Sequence, residues 1–260
     1  MSMSGERYAQ QQKVWAREAH FHDDLASQLH PQCMLPQDPD PWTAALLAKV
    51  GDMSGLNVLE LGCGTGDLTL HLLRAGAAVT ALDISREMTE IARKRAQIFT
   101  SGRRARFITA PAEASGLPSR SFDLIVGRFA LHHLDIVLAA TEISRMLTSG
   151  GRALFVETSG LNPILRVARA KLLGRFGIPK FGTPDEHPLC RDDLDFLHDH
   201  FQRVDLDTPC FRFFALFDRQ VMHYRYRIVS RVTSAADAFI DRMVPPLRRY
   251  SFYVVVTLSR

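Results

Sequence analysis

Val58-Leu59-Glu60-Leu61-Gly62-Cys63-Gly64-Thr65-Gly66 is the stretch that decides the fold of this chain. Val58 to Leu61 reads as a short, mostly apolar strand, and the closely spaced glycines after it turn directly into a helix beginning at Asp67. Such a turn places bare backbone at the carboxyl end of a sheet, where open α/β folds bind ligands. The next strand, Val79 to Leu82, is followed by Asp83, a carboxylate suited to the two hydroxyls of a ribose.

Outward from this loop the pattern stays regular. Asp67 to Ala75 carries Leu68, Leu72 and Ala75 on one helical face, and Gly76 stops it. Ser85 caps a helix whose Met88, Ile91 and Ala92 face inward. Arg106 to Thr109, Leu124 to Val126 and Ala153 to Val156 read as further strands. Between the last two, Ile136, Ala140, Ile143 and Leu147 form a helix stripe expected to end at Gly150-Gly151. Strands alternating with helices at this spacing specify a mostly parallel α/β sheet covered on both faces.

The flanks read differently. Residues 1–50 form a helical cap, interrupted by Pro31, Pro36, Pro39 and Pro41, in front of a main domain over 51–260. Beyond Glu157, Asn162-Pro163 starts a helix with Leu161, Ile164, Leu165, Ala168 and Leu172 at helical spacing. A helix over 191–200, a strand at Val204 and Leu206, a helical stretch over 218–243 and a buried strand over 251–258 follow. Two segments, at about 160–190 and 209–246, read as lid insertions in the main domain.

Composition narrows the class. The 260 residues are 46% hydrophobic and 23% charged, enough to bury a full core and unlike a disordered chain. No apolar run reaches the roughly 18 residues of a membrane span, and MSMSGERYAQQQ has no secretory apolar segment, so a soluble, cytoplasmic protein is expected. Cys33, Cys63, Cys190 and Cys210 lie far apart without CxxC spacing, which argues against a disulfide framework and against a bound metal. The basic residues are 27 Arg against 5 Lys, and the last 60 residues carry 10 Arg against 5 Asp or Glu. They are dispersed rather than clustered as a nucleic-acid footprint would require.

The glycine loop and Asp83 imply an adenosine-containing cofactor. A dinucleotide site wants a third glycine where this chain has Asp67, and an acid at a helix N-terminus repels phosphate. Glu60 points the same way, toward a ligand that carries positive charge and no phosphate, such as S-adenosylmethionine.

On these residues the sequence resembles the class I S-adenosylmethionine-dependent methyltransferases of small molecules. LELGCGTG is similar to their first motif, ALDIS with Met88 to their second, and Ala112-Glu113 with Leu117-Pro118 to their adenine loop. SFDLIV, LHHL and LTSGGRALFVE are similar to their fourth strand, the segment after it and their fifth strand, so the resemblance covers about 55–158. It implies a Rossmann-like seven-stranded sheet whose last strand, over 251–258, runs antiparallel. It also implies that Gly62 and Gly64 cradle the methionine part of the cofactor, Asp83 takes the ribose, Ile84 and Met88 pack on adenine, and Ala112 offers its amide. Glu60 and Arg128 join this cofactor set. Many relatives place Asp just before this alanine; here Pro111 stands there, and Glu113 is the candidate to replace it.

Methyl transfer from a sulfonium is an in-line displacement, so alignment of the reactants supplies much of the catalysis and a base is optional. Where the acceptor begins protonated, a histidine within reach assists. His187, in Asp185-Glu186-His187-Pro188, is the first candidate and His133 the second; His132 reads as structural, and His20 and His22 as a solvated helix face. Specificity is expected from the flanks, where Phe211, Phe213, Phe214, Phe217, Tyr224 and Tyr226 lie beside Arg212, Arg225 and Arg227. A small-molecule acceptor, secondary-metabolite or lipid-like, is favoured over nucleic acid, because Gly127-Arg128-Phe129-Ala130 lacks the Asn-Pro-Pro-Tyr signature of amino-directed base methyltransferases. Two readings stand beside it: a nicotinamide-dependent oxidoreductase, and a non-catalytic S-adenosylmethionine-binding protein. Oligomeric state is not legible.

Overall fold

The computed structural model describes residues 5–29, 38–100, 105–172, 188–218 and 225–260. Its frame is a sheet of seven strands: β1 (Asn57–Leu61), β2 (Ala78–Asp83), β3 (Ala105–Thr109), β4 (Phe122–Arg128), β5 (Leu147–Thr158), β6 (Arg203–Asp207) and β7 (Tyr253–Ser259), in the order β3-β2-β1-β4-β5-β7-β6. β1 to β5 pair in parallel, and β7 runs antiparallel to both β5 and β6.

Alternation along the strands explains why both faces are covered. Leu59 and Leu61 of β1, Ile125 of β4 and Phe155 of β5 point to one core, under α5 (Ile136–Met146) and α7 (Arg191–His200). Val58, Leu124, Val126, Leu154 and Val156 point to the other, under α2 (Pro41–Val50), α3 (Asp67–Arg74) and α4 (Arg86–Phe99). Glu60 shares this second face and is buried there at 2% exposure. An acid at an apolar register position of a central strand is the first sign that the sheet serves a ligand.

Three helices lie outside this frame: α1 (Gly5–Ser27), α6 (Pro163–Leu172) and α9 (Arg227–Met243), the last preceded by the single turn α8 (Phe214–Phe217). Asn162 caps α6, its Oδ1 accepting from the Ile164 and Leu165 amides. The expected α6 stripe is only partly buried, since Leu165 is packed away while Ile164 and Val167 are exposed. The expected stop at Gly150-Gly151 is also corrected. Helix α5 ends at Met146, and both glycines belong to the start of β5. The stop comes earlier because Leu147 already has extended backbone, φ −65° and ψ 138°.

Candidate active site

The carboxyl ends of β1, β2 and β4 meet α1 across a cavity of about 380 Å³. All nine expected cofactor residues line it: Glu60, Gly62, Gly64, Asp83, Ile84, Met88, Ala112, Glu113 and Arg128. His133 lines it too, whereas His187 lies outside the described residues.

Two glycines explain the loop. At φ +68° Gly62 adopts a conformation costly for other residues, and a Cβ there would stand 3.0 Å from the Ala130 Cβ. At φ +85° Gly66 starts α3, and a Cβ there would meet Ala92 of α4 at 2.9 Å. Asp83 fixes the loop from below: one carboxylate oxygen accepts from the Gly64 amide at 2.7 Å, the other from the Ser85 amide at 2.9 Å. Burial raises the Asp83 pKa, against the lowering effect of these amides and of His22 and His133.

The floor is acidic. Burial pushes the Glu60 carboxyl up to about 8, countered by the Thr69 hydroxyl that donates to it at 2.5 Å. Asp67, the residue read as repelling phosphate, is not a bare acid. It pairs with the fully buried Arg95 guanidinium at 2.7 Å and lies 3.7 Å from Arg128. Arg128 in turn donates to Asp40 at 3.0 Å and to the Thr43 hydroxyl at 3.1 Å, which ties the start of α2 to the end of β4. Glu113 is buried, and burial raises its pKa. Its Oε1 accepts from the Asp135 amide and from the Gln11 side-chain amide, and the Trp15 indole N–H beside the carboxylate counters the rise.

The helical cap was expected, but the residues it turns onto the cavity were not read from the sequence. Trp15, Glu18, His22 and Leu25 of α1, with Leu29 just beyond it, face the cavity at alternating three- and four-residue steps. His22 is therefore not on a solvated face; only His20 is, at 79% side-chain exposure beside Asp24. Asp23 anchors the helix by accepting from the Ser85 hydroxyl at 2.5 Å and the Glu87 amide at 3.2 Å, at the start of α4. His133 Nδ1 lies 3.1 Å from a Glu18 carboxylate oxygen, and His22 Nε2 3.6 Å from the same oxygen. The neighbouring His132 is structural as expected. Its Nδ1 lies 2.7 Å from Glu157, whose other oxygen accepts from the Ala130 and Leu131 amides.

Phe129 was also missed. It follows β4, lines the cavity and holds φ +58°, a strained conformation for an aromatic residue. A left-handed aromatic leaves no mark in sequence. The aromatic late segment, by contrast, contributes nothing to the cavity wall among the described residues. Phe211 is buried and its ring stacks on Phe213, which meets Phe214 edge to face.

The fold and the site together define the class. Residues 58–151 match the family model described as a methyltransferase domain, and the seven-stranded sheet with its antiparallel last strand is the fold of the class I S-adenosylmethionine-dependent methyltransferases. The chain is 34% identical over 124 residues to a demethylmenaquinone methyltransferase of Lactococcus lactis, covering 46% of this chain and 49% of the relative. It is also 34% identical over 132 residues to the ubiquinone/menaquinone biosynthesis C-methyltransferase UbiE of Hahella chejuensis, covering 49% and 53%. The chain thus spans about half the length of these curated relatives. A solved S-adenosylmethionine-dependent methyltransferase from Mesorhizobium loti superposes with a TM-score of 0.56 at 20% identity, over 85% of this chain and 96% of that one, and supports the fold.

Proposed function

We propose that this protein transfers a methyl group from S-adenosylmethionine to a small-molecule acceptor, secondary-metabolite or lipid-like, by in-line displacement. The observation that carries the reading is the convergence of the nine expected cofactor residues and His133 on one cavity roofed by α1. The names of the curated relatives, which are methyltransferases of quinone biosynthesis, support an acceptor of this kind.

The residues present fit the cofactor. Gly64, where a Cβ would meet nothing within 4 Å, leaves bare backbone toward the cavity, and the buried Glu113 carboxyl lines the same wall as Ala112. When bound, S-adenosylmethionine supplies an electrophilic methyl group on a cationic sulfonium. Glu60 and the Gly62–Gly64 backbone would hold the amino-acid end, Asp83 the ribose, and Ile84, Met88, the Ala112 amide and Glu113 the adenine. Arg128 acts by positioning, because its guanidinium holds Asp40, Thr43 and Asp67. Glu18, 3.1 Å from His133 Nδ1, orients the imidazole; with the proton on Nδ1, Nε2 is the nitrogen that would accept one. His133 Nε2 would take the proton of an acceptor that begins protonated. Residues of α1 close the cavity against water.

Titration calorimetry with S-adenosylmethionine and its demethylated product tests the cofactor assignment; no heat of binding for either overturns it. Labelled-methyl transfer into a metabolite extract tests the activity and is expected to be lost in Asp83→Ala. His133→Ala should lower turnover by about 10²–10⁴-fold with cofactor affinity retained. Unchanged turnover removes the base role.

A further inference from the structure

Helix α9 is inside out. Its one fully buried residue is an acid, Asp237, while Ile228, Val232, Phe239 and Met243 are exposed at 76%, 62%, 64% and 61%. The inward acid is well used: Asp237 accepts from the Phe213, Phe214 and Ala215 amides at 2.9–3.0 Å and so caps α8. Asp241, one turn on, accepts from the Phe211 amide and from Arg248. A polar seam therefore holds the helix, and the apolar side is left outward. With exposed Ala235, the outward residues fall within about 80° of one another around the helix, a continuous stripe along its whole length.

Charge selects what covers this stripe. Arg227, Arg231 and Arg242 are exposed along one flank of it and make no ion pair among the described residues. Residues 225–249 contain six arginines and only two acids, and both acids are spent inside the fold. A second copy pairing through this face brings the same arginine row and no exposed acid from this segment to meet it. An anionic lipid surface answers both features, because the apolar stripe enters the acyl boundary while the guanidinium groups meet phosphate.

Topology adds a further observation. β6 ends and β7 begins at the edge of the sheet where β5 ends, since Asp207 pairs with Val255 and Thr158 with Tyr253. That is the carboxyl edge of the parallel strands, which carries the cavity. Helix α6 leaves the same edge, bound to the later segment by Asn162 donating to the Tyr250 carbonyl, and it exposes Ile164 and Val167 beside Arg166.

We propose that the protein docks on anionic lipid bilayers through the outward apolar face of α9 and its arginine flank, with the cavity-bearing edge of the sheet turned toward the membrane. No helix of the described residues is long and apolar enough to cross a membrane, so the contact lies in the interfacial plane. The proposal is independent of which acceptor is methylated.

Co-sedimentation of the full chain with phosphatidylglycerol-containing vesicles and with pure phosphatidylcholine vesicles tests it. The protein is expected to partition onto the anionic vesicles and to be released by salt. Ile228→Asp with Phe239→Asp should weaken partitioning at least about tenfold. Replacing Arg227, Arg231 and Arg242 by Gln should weaken it on the order of a hundredfold and flatten the salt dependence. Light scattering and circular dichroism on the same samples establish fold and assembly. Absence of partitioning onto anionic vesicles, or partitioning indifferent to both sets of substitutions, overturns the proposal. A concentration-dependent dimer that Ile228→Asp with Phe239→Asp dissociates assigns the face to a second copy and overturns it equally.

Discussion

Helices α1 and α9 both lie outside the sheet, and each buries polar groups on its inward side, yet they do opposite things with that side. α1 turns Glu18 and His22, flanked by Trp15 and Leu25, onto a cavity and anchors itself through Asp23 to the start of α4. α9 spends Asp237 and Asp241 on backbone amides and an arginine, and leaves its apolar residues outside. Polar burial in α1 therefore shapes the wall of a cavity, and in α9 it only fixes a helix in place.

The largest effect expected from this contrast is on α9. Asp237→Ala would strip the acceptor from three backbone amides at the Phe213–Ala215 turn, a loss of about 3 kcal/mol. Chemical denaturation measures it. Cofactor affinity should hold within about twofold, because Asp237 is not on the cavity; a collapse of affinity would break the distinction between the two helices.

Next comes the floor beneath α1. The Glu60 pKa is raised from 4.5 to about 8, so the folded state favours the neutral acid. The unfolded chain releases this proton at lower pH than the folded one. Stability of the ligand-free protein should therefore fall as pH rises from 4.5 toward 8, and Glu60→Gln should flatten that slope. A cationic ligand reverses the preference by stabilising the carboxylate, so its binding near neutral pH should release a proton. Calorimetry in buffers of different ionisation enthalpy reads this directly, and the release should vanish in Glu60→Gln.

How much of this was legible follows from the kind of signal each part leaves. The strand, the glycine loop and Asp83 were readable because turn chemistry and strand period are local, whereas Ile84, Met88, Ala112 and Glu113 were expected from the resemblance alone; these four and Asp83 line the cavity with Glu60, Gly62 and Gly64. The α1 stripe was not, because Trp15, Glu18, His22 and Leu25 share a face and not a polarity, and hydrophobic periodicity is blind to a mixed face. Asp67 was read as a free acid; its partner Arg95 stands a helix away and only the fold brings the two together. The rings at 211–214 were expected to serve specificity; none of them lines the cavity, and Phe211 is buried against Phe213.

A smaller loss is expected where α1 meets α4. Asp23→Ala removes the acceptor of the Ser85 hydroxyl and the Glu87 amide, a cost of about 1 kcal/mol. Because α1 roofs the cavity, that cost should appear as faster hydrogen exchange in α1 and as cofactor affinity weakened by up to about tenfold. Unchanged affinity would mean that α1 covers the site without supporting it.

The smallest effect sharpens the comparison most. Phe239→Ser and Ile228→Ser delete large apolar groups, which in a core costs about 3 kcal/mol or more. Both side chains stand mostly in solvent, at 64% and 76% exposure, so little contact is lost within the chain. Each variant should melt within about 0.5 kcal/mol of the parent in lipid-free solution. Leu46→Ala on α2, fully buried, supplies the contrast and should cost about 2–5 kcal/mol. A phenylalanine that can be deleted without cost to folding has not been placed there by folding. A large loss in Phe239→Ser would instead make the outward face part of the protein's own core and remove the physical basis for a docking surface.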